Sequence, residues 1–572
     1  MKQVKRSEFL QTVAENAFAE DAAQTHKPPV NEFANKTLPH FSSRATSTLN
    51  PYTGTFGTTE LSHLLRRTLF GVTKADLAAF AGMTLDQVLT ALLTASATPT
   101  PPLNAYNDNN FTDADIPFGQ TWVNAAANTN SVNANNRRKG SFKFWWIGLM
   151  INQERNLTEK MTLFWHNHFA TQIAIYSDAR YAYKHHAMLR AAALGNFKTL
   201  TRQVTTDPAM LVYLNGNTNT KNAPNENYGR ELQELFTVGK GPDSHYTEDD
   251  VKAAAKVLTG WKVDSNGISS YFDSTKHDTN DKTFSSFYNG TVITGQSGAN
   301  GANETDQLID MIFAQQETAK YICRKLYRWF IYYVIDAQVE TDIITPLADI
   351  LIQNNYDIAP ALQALLKSEH FFDVLNMGCH IKNPMDHVIG TCRQYNLAFP
   401  TSANLQDQYN GWRIVWGALY AGQQDPGDPP NVAGWPAYYQ EPQFHELWIN
   451  SDTLPLRNQL TDVLCALNGF TQYGVNLKID LIAFAQQFDH PEDPNLLIAD
   501  MAALLSPNDI GATQTAFLKT ILLSNQSADH YWSDAWGLYI GQPTNATYKA
   551  TVESRLRSMY MYLMDMAEYQ LI

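Results

Sequence analysis

A chain of 572 residues that is 44% hydrophobic and 12% aromatic has ample material for a large packed core, which excludes wholesale disorder. Its formal net charge is −14 and no Lys/Arg run breaks it, so nucleic acid is excluded as the main partner. No apolar run reaches the roughly 18 residues that a membrane span requires, and Cys323, Cys379, Cys392 and Cys465 are scattered without metal or disulfide spacing, so they read as buried thiols.

Residues 1–57 are polar and proline-bearing and predict an extended or partly disordered N-terminal arm. Lys5-Arg6 falls short of the Arg-Arg of a twin-arginine signal, and Glu15, Glu20 and Asp21 interrupt the apolar stretch that export needs; no competent signal peptide is expected. Residues 58–98 form a small helical subdomain. "TTELSHLLRRTLFG" ends on Gly71, Thr73 with Asp76 and Thr84 with Gln87 carry capping-box spacing, and Gly82 stops the second helix. The Asn/Pro density of 99–136 predicts a surface loop insertion.

A main helical body is expected over 137–450, with "YTEDDVKAAAKVLTGW" capped by Thr247 and closed by Gly260. Short β-prone runs around Asn-Gly turns put a small β-hairpin excursion near 262–300. "DPGDPPNVAGWPAYYQEP" is too rich in Pro and Gly for regular structure, yet its aromatics predict an ordered loop. Residues 451–572 read as a C-terminal helical part packed on the body. The fold class is mainly α, a multi-helix globular array with that single β excursion.

Four phrases could carry chemistry. In "FWHNHFAT", His166 and His168 follow a helix expected to be capped by Thr158; each helical residue turns about 100°, so side chains two apart point about 200° from each other. Both could ligate one metal only if the helix ended or unwound there. His168 shares an apolar stripe with Met161, Phe164, Trp165 and Phe169, and His166 lies off it, so a buried histidine and a surface histidine compete with a metal or catalytic role. In "NENYGRELQELFTVGKG", Asn227, Glu231 and Glu234 line up at helical spacing, half of a metal site or an acid/base pair; Glu226 with Arg230 could equally form an exterior ion pair.

"KHDTNDKTF" sets His277 and Asp278 in a polar loop with Lys282 and Phe284 behind. "HLLRRTLFG" carries Arg66 and Arg67, suited to buried ion pairing or to anion binding. His185-His186 diverge on a helix and are set aside. There is no H-E-x-x-H, Walker loop, G-x-G-x-x-G or G-x-S-x-G elbow.

These phrases, with "DPAMLVYL", "PPNVAGWP" and the closing "AEYQLI", resemble in collinear order the bacterial family catalogued as domain of unknown function 1800. Asn280 stands where that family usually has Gly, and the 104–136 loop looks inserted. The resemblance implies no established activity. It implies an extracytoplasmic setting and a partner from a family that looks like alkaline phosphatases, with which such chains are often paired.

The leading expectation is a metal-assisted hydrolase or oxidoreductase. His166, His168, Glu231 and His277 would hold a divalent transition metal (Zn, Fe, Mn or Cu), and Glu231, Glu234, Arg230 and Asp278 would do the acid/base work. Asn227, Arg66, Arg67 and Trp435 would bind ligand. The alternative is a non-enzymatic binding or assembly protein, with Trp412, Trp416, Trp435, Tyr438 and Tyr439 lining an aromatic groove for a glycan or a protein partner. A metal-free hydrolase using the carboxylates alone is the third reading.

Overall fold

Helices begin where the sequence offers caps. In the computed structural model, which describes residues 47–108, 111–125 and 132–572, Thr73 Oγ1 accepts from Asp76 N at 3.0 Å. The Asp76 carboxylate accepts in return from Thr73 N at 3.2 Å, and the pair starts Lys74–Phe80. Thr84 with Gln87 and Thr247 with Asp250 build the same reciprocal box before Leu85–Leu92 and Glu248–Val257. Gly71, at φ +76°, sits where a Cβ would lie 2.8 Å from the Gly390 Cα, so two backbones cross at a pair of glycines. Residues 1–46 of the N-terminal arm, where no competent signal peptide is expected, lie outside the described residues.

The molecule is mainly helical, as its periodicity predicts, with small antiparallel hairpins. Trp261–Asp264 pairs with Ser269–Phe272, and Lys282–Thr283 with Val292–Ile293, so the β excursion lies inside 262–300 give or take one residue. A further hairpin, Phe470–Gln472 with Val475–Leu477, turns on Tyr473-Gly474, both at positive φ. The 99–136 segment is less superficial than its composition predicts. Trp122 is fully buried and donates from Nε1 to Ser141 Oγ at 2.9 Å, and Arg138 grips Asp113 with two bonds of 2.8 and 2.9 Å.

At the centre lies Thr158–His168, a helix whose every residue is buried. A helix enclosed on all sides needs no amphipathic stripe, which is why its pattern reads ambiguously. Thr158 is its first helical residue rather than its cap: Asn156 Oδ1 accepts from Thr158 N at 3.0 Å, and Thr158 Oγ1 accepts instead from Ser96 N at 2.9 Å. One continuous apolar core runs from Leu61 to Tyr569 and includes the 451–572 helices. The final segment is stitched to the body: Ile381 pairs with Leu571, and Lys382 Nζ donates to Tyr569 O at 2.6 Å. Among the described residues no helix is long and apolar enough to cross a membrane.

Candidate functional site

The helix Thr158–His168 presents Lys160, Phe164, Asn167 and His168 to a cleft whose opposite wall comes from the helix Gln316–Phe330 through Lys325, Arg328 and Trp329. Asn383 and Asp386, from the start of Pro384–Gln394, line one end, and the irregular 433–448 segment covers the other with Tyr438, Tyr439, Phe444, His445 and Trp448. The cleft holds about 810 Å³ of empty space, its solvent-filled mouth included.

Gly434 makes the cover possible. At φ +92° it has no Cβ, and one placed there would fall 2.2 Å from Asn167 Oδ1. The approach lets Trp435 N donate to that oxygen at 2.9 Å.

The charge of this cleft is opposite to that of the chain. Arg67, Lys160, Lys325 and Arg328 line it beside Asp386 and the chain-terminal Ile572. Lys160 pairs with Asp386. Arg67 is held by the carbonyls of Ile331 and Asn376 at 3.2 and 3.1 Å. Arg328 donates to Tyr333 O at 3.2 Å, lies 5.0 Å from the Phe444 ring centre, and reaches the largely exposed Glu441 only at 3.9 Å.

Lys325 donates to Leu235 O at 3.3 Å and lies 5.0 Å from the Tyr321 ring centre. Burial, and then the neighbouring Arg328 charge, push its ammonium down to about 7.

His168 closes the floor. Its Nε2 is 3.0 Å from the Phe236 carbonyl, which can only accept, so Nε2 carries the proton and Nδ1 keeps its lone pair. Among the described residues, Nδ1 is buried without a hydrogen-bond partner. Burial and then the Lys325 charge hold this imidazole well below the usual range, against the pull of the Phe236 bond, so it is neutral at physiological pH. Phe236 belongs to Leu232–Thr237, a π-helical turn, and the Leu235 carbonyl beside it accepts both from Lys325 and from Tyr321 Oη at 2.8 Å.

The nominated metal ligands occupy separate surroundings. His166 points away from His168, as the helical rotation demands, and packs against Trp146 and Trp435 at 5.0 and 5.9 Å between ring centres. It is buried, not a surface histidine, and burial pushes it down to about 3. His277 spends both nitrogens: Nδ1 on Thr259 O at 2.9 Å and Nε2 on Glu304 Oε1 at 3.0 Å.

Glu231 is half-buried, its pKa raised by burial and then by Glu234, and among the described residues its Oε2 lacks a hydrogen-bond partner. Among the described residues, no three His, Cys, Asp or Glu side chains come together in a way that could hold a metal ion. His166, His168, Glu231 and His277 therefore do not form one coordination sphere.

The other nominated residues divide. Arg67 and His168 line the cleft, and Trp435 lies beneath its cover. Arg66 is buried elsewhere, donating to the carbonyls of Ala503 and Leu504 at 2.6 and 3.1 Å. Arg230 forms the exterior network with Glu248 and Glu226, Glu234 pairs with Lys240, and Asn227 is exposed. Asp278 accepts from the backbone and side chain of Asn280, both at 2.8 Å, a turn-forming role.

Of the expected groove aromatics, Tyr438 and Tyr439 line the cleft, whereas Trp412 stands over Gly148 and Trp416 donates to Asp425 at 2.8 Å. Lys325, Arg328 and Trp329 are the residues that sequence reasoning missed. Their only signal was a basic and aromatic face at i, i+3 and i+4 in "CRKLYRWF".

The four cysteines are free thiols, three buried and Cys379 half-buried. No curated protein and no solved structure matches the chain. A family model does, over residues 63–571, and the chain accordingly belongs to the family described as protein of unknown function (DUF1800).

Proposed function

We propose that the cleft beside His168 binds an acidic carbohydrate. The observation that carries this reading is that Lys325 and Arg328 line an aromatic-walled cleft with, among the described residues, no ion pair tighter than the 3.9 Å approach of Arg328 to Glu441, in a chain whose net charge is −14. Trp329, Tyr438, Tyr439 and Trp448 offer flat apolar faces suited to the C–H faces of sugar rings. Arg328 supplies positive charge for a carboxylate, and Asn167 adds an amide for hydroxyls.

This is the aromatic-groove reading of the sequence with its location moved and its ligand given a charge. A metal-assisted hydrolase or oxidoreductase draws no support from the nominated ligands, which do not meet. The extracytoplasmic setting and the alkaline-phosphatase-like partner implied by the family remain proposals compatible with a carbohydrate ligand.

The test is titration with an oligogalacturonate and with a neutral oligosaccharide of equal length, followed by tryptophan fluorescence. Binding of the acidic oligomer alone, weakened by salt and by Arg328→Gln, is expected. Equal binding of the two, or indifference to Arg328→Gln, would overturn the reading.

A further inference from the structure

We propose that Lys325 is a reactive amine that condenses with the carbonyl group of an oxo acid held in this cleft, forming a covalent imine. The inference rests on the cleft being a ligand site, and it deepens that reading. An acidic sugar in its open-chain form carries both an aldehyde or ketone and a carboxylate.

Four observations meet at Lys325. Its side chain lines the cleft, so a ligand has access to it. Among the described residues it has no carboxylate partner; its hydrogen bond is to the Leu235 carbonyl at a long 3.3 Å. One turn along the same helix Arg328 supplies a charge that discourages protonation of the amine and suits the carboxylate of an incoming oxo acid. On the facing helix, His168 lines the same cleft with a buried and unpartnered Nδ1, near enough to Lys325 to be biased by its charge.

An amine desolvated beside another cation is the arrangement that yields a nucleophilic lysine. Among the described residues, the environment of Lys325 contains no acid that would hold the ammonium. It faces Arg328 and Tyr321 on its own helix, the neutral His168 on the opposite one and the Leu235 carbonyl of the π turn.

The chemistry balances without an oxidant or reductant. The Nζ lone pair attacks the carbonyl carbon, the C=O π pair moves to oxygen, and one Nζ proton passes through solvent in the mouth of the cleft to that oxygen, leaving a neutral carbinolamine. The nitrogen lone pair then expels the hydroxyl, which leaves as water with the second Nζ proton. Amine and carbonyl become imine and water.

The experiment uses the full chain, glyoxylate as the oxo acid, propanal as an uncharged aldehyde, and cyanoborohydride to reduce any imine to a stable secondary amine located by peptide mass mapping. The exposed Lys252 serves as the internal reference. Trapping at Lys325 is expected to run roughly tenfold or more faster than at Lys252 near neutral pH, with a pH profile that turns at about 7. In Lys325→Arg the adduct should vanish while Lys252 labels as before.

Labelling of Lys325 no faster than Lys252 by either aldehyde overturns the proposal, even if oligogalacturonate still binds by fluorescence. Fast labelling by propanal with no advantage for glyoxylate and no protection by oligogalacturonate supports the reactive amine and overturns the acidic-carbohydrate reading. Protection at Lys325 but not at Lys252 supports both.

Discussion

Two regions of this molecule hold polar groups inside apolar walls, and they differ in whether the hydrogen bonds close. In the β excursion, Glu304 is fully buried and receives Lys282 on one oxygen and His277 on the other, while Gln296 N adds a bond of 2.7 Å. His277 completes its own set on Thr259, and Lys282 on the Asp278 carbonyl. Nothing there is left to offer a ligand.

In the cleft, by contrast, His168 Nδ1 has no hydrogen-bond partner among the described residues, and Lys325 makes a long bond to a carbonyl. Burying polar groups is costly in both places, about 1–3 kcal/mol for each unsatisfied one. The difference therefore separates a network that fixes the fold from one kept incomplete. A polar motif inside aromatic surroundings signals function only when its bonds do not close.

Breaking the closed network should give the largest effect. Glu304→Ala strands a buried Lys282 and His277, and a loss of about 3–5 kcal/mol in urea unfolding is expected. A loss under about 1 kcal/mol would mean that the network is not what holds the excursion in place.

The buried imidazoles outside that network should show in the pH dependence of stability. Burial holds His63 and His166 down to about 3, against 6.5 in the unfolded chain. The unfolded state therefore binds more protons between these values. Stability is fully present above about pH 6.5 and falls as pH drops toward 3, by about 1.4 kcal/mol per pH unit for each histidine. Urea titrations across that range should show the slope, and His166→Phe should flatten it by one histidine's share.

On the open side, Arg328→Gln should weaken oligogalacturonate binding about tenfold, or about 1.4 kcal/mol, with little change in Tm because that side chain is partly exposed. The smallest effect belongs to the exterior: Arg230→Ala, which removes the pair with Glu248, should stay within about 0.5 kcal/mol by thermal unfolding.

Legibility in the sequence depends on range. Capping boxes act over three residues, and the Thr73, Thr84 and Thr247 boxes form as their spacing predicts. The opposition of His166 and His168 comes from helical rotation alone. The partner of His277 does not, because Glu304 lies 27 residues away while Asp278, its neighbour, makes a turn instead.

The cleft is less legible still. It assembles positions 67, 160–168, 325–333, 380–386 and 433–448, and on their own helix Lys325 and Arg328 resemble an ordinary solvated polar face. The tertiary fold sets Phe444 5.0 Å from Arg328 and the Leu235 carbonyl 3.3 Å from Lys325. Local patterns carry the elements, and the long-range meeting of elements carries the site.

The π turn Leu232–Thr237 gives that site a dependence of a different kind. Such a turn holds one residue more than the α-helical turn it replaces, and here it aims two consecutive carbonyls at the floor of the cleft, Phe236 at His168 and Leu235 at Lys325. Those acceptors are backbone atoms, so exchanging the side chains at 235 and 236 leaves both in place. Removing a single residue from 232–237 would instead rotate the downstream backbone by about 100° and carry both carbonyls off their targets. The floor of the cleft is thus encoded in the length of the chain there, and a one-codon deletion would take it away while leaving every side chain of the cleft unchanged.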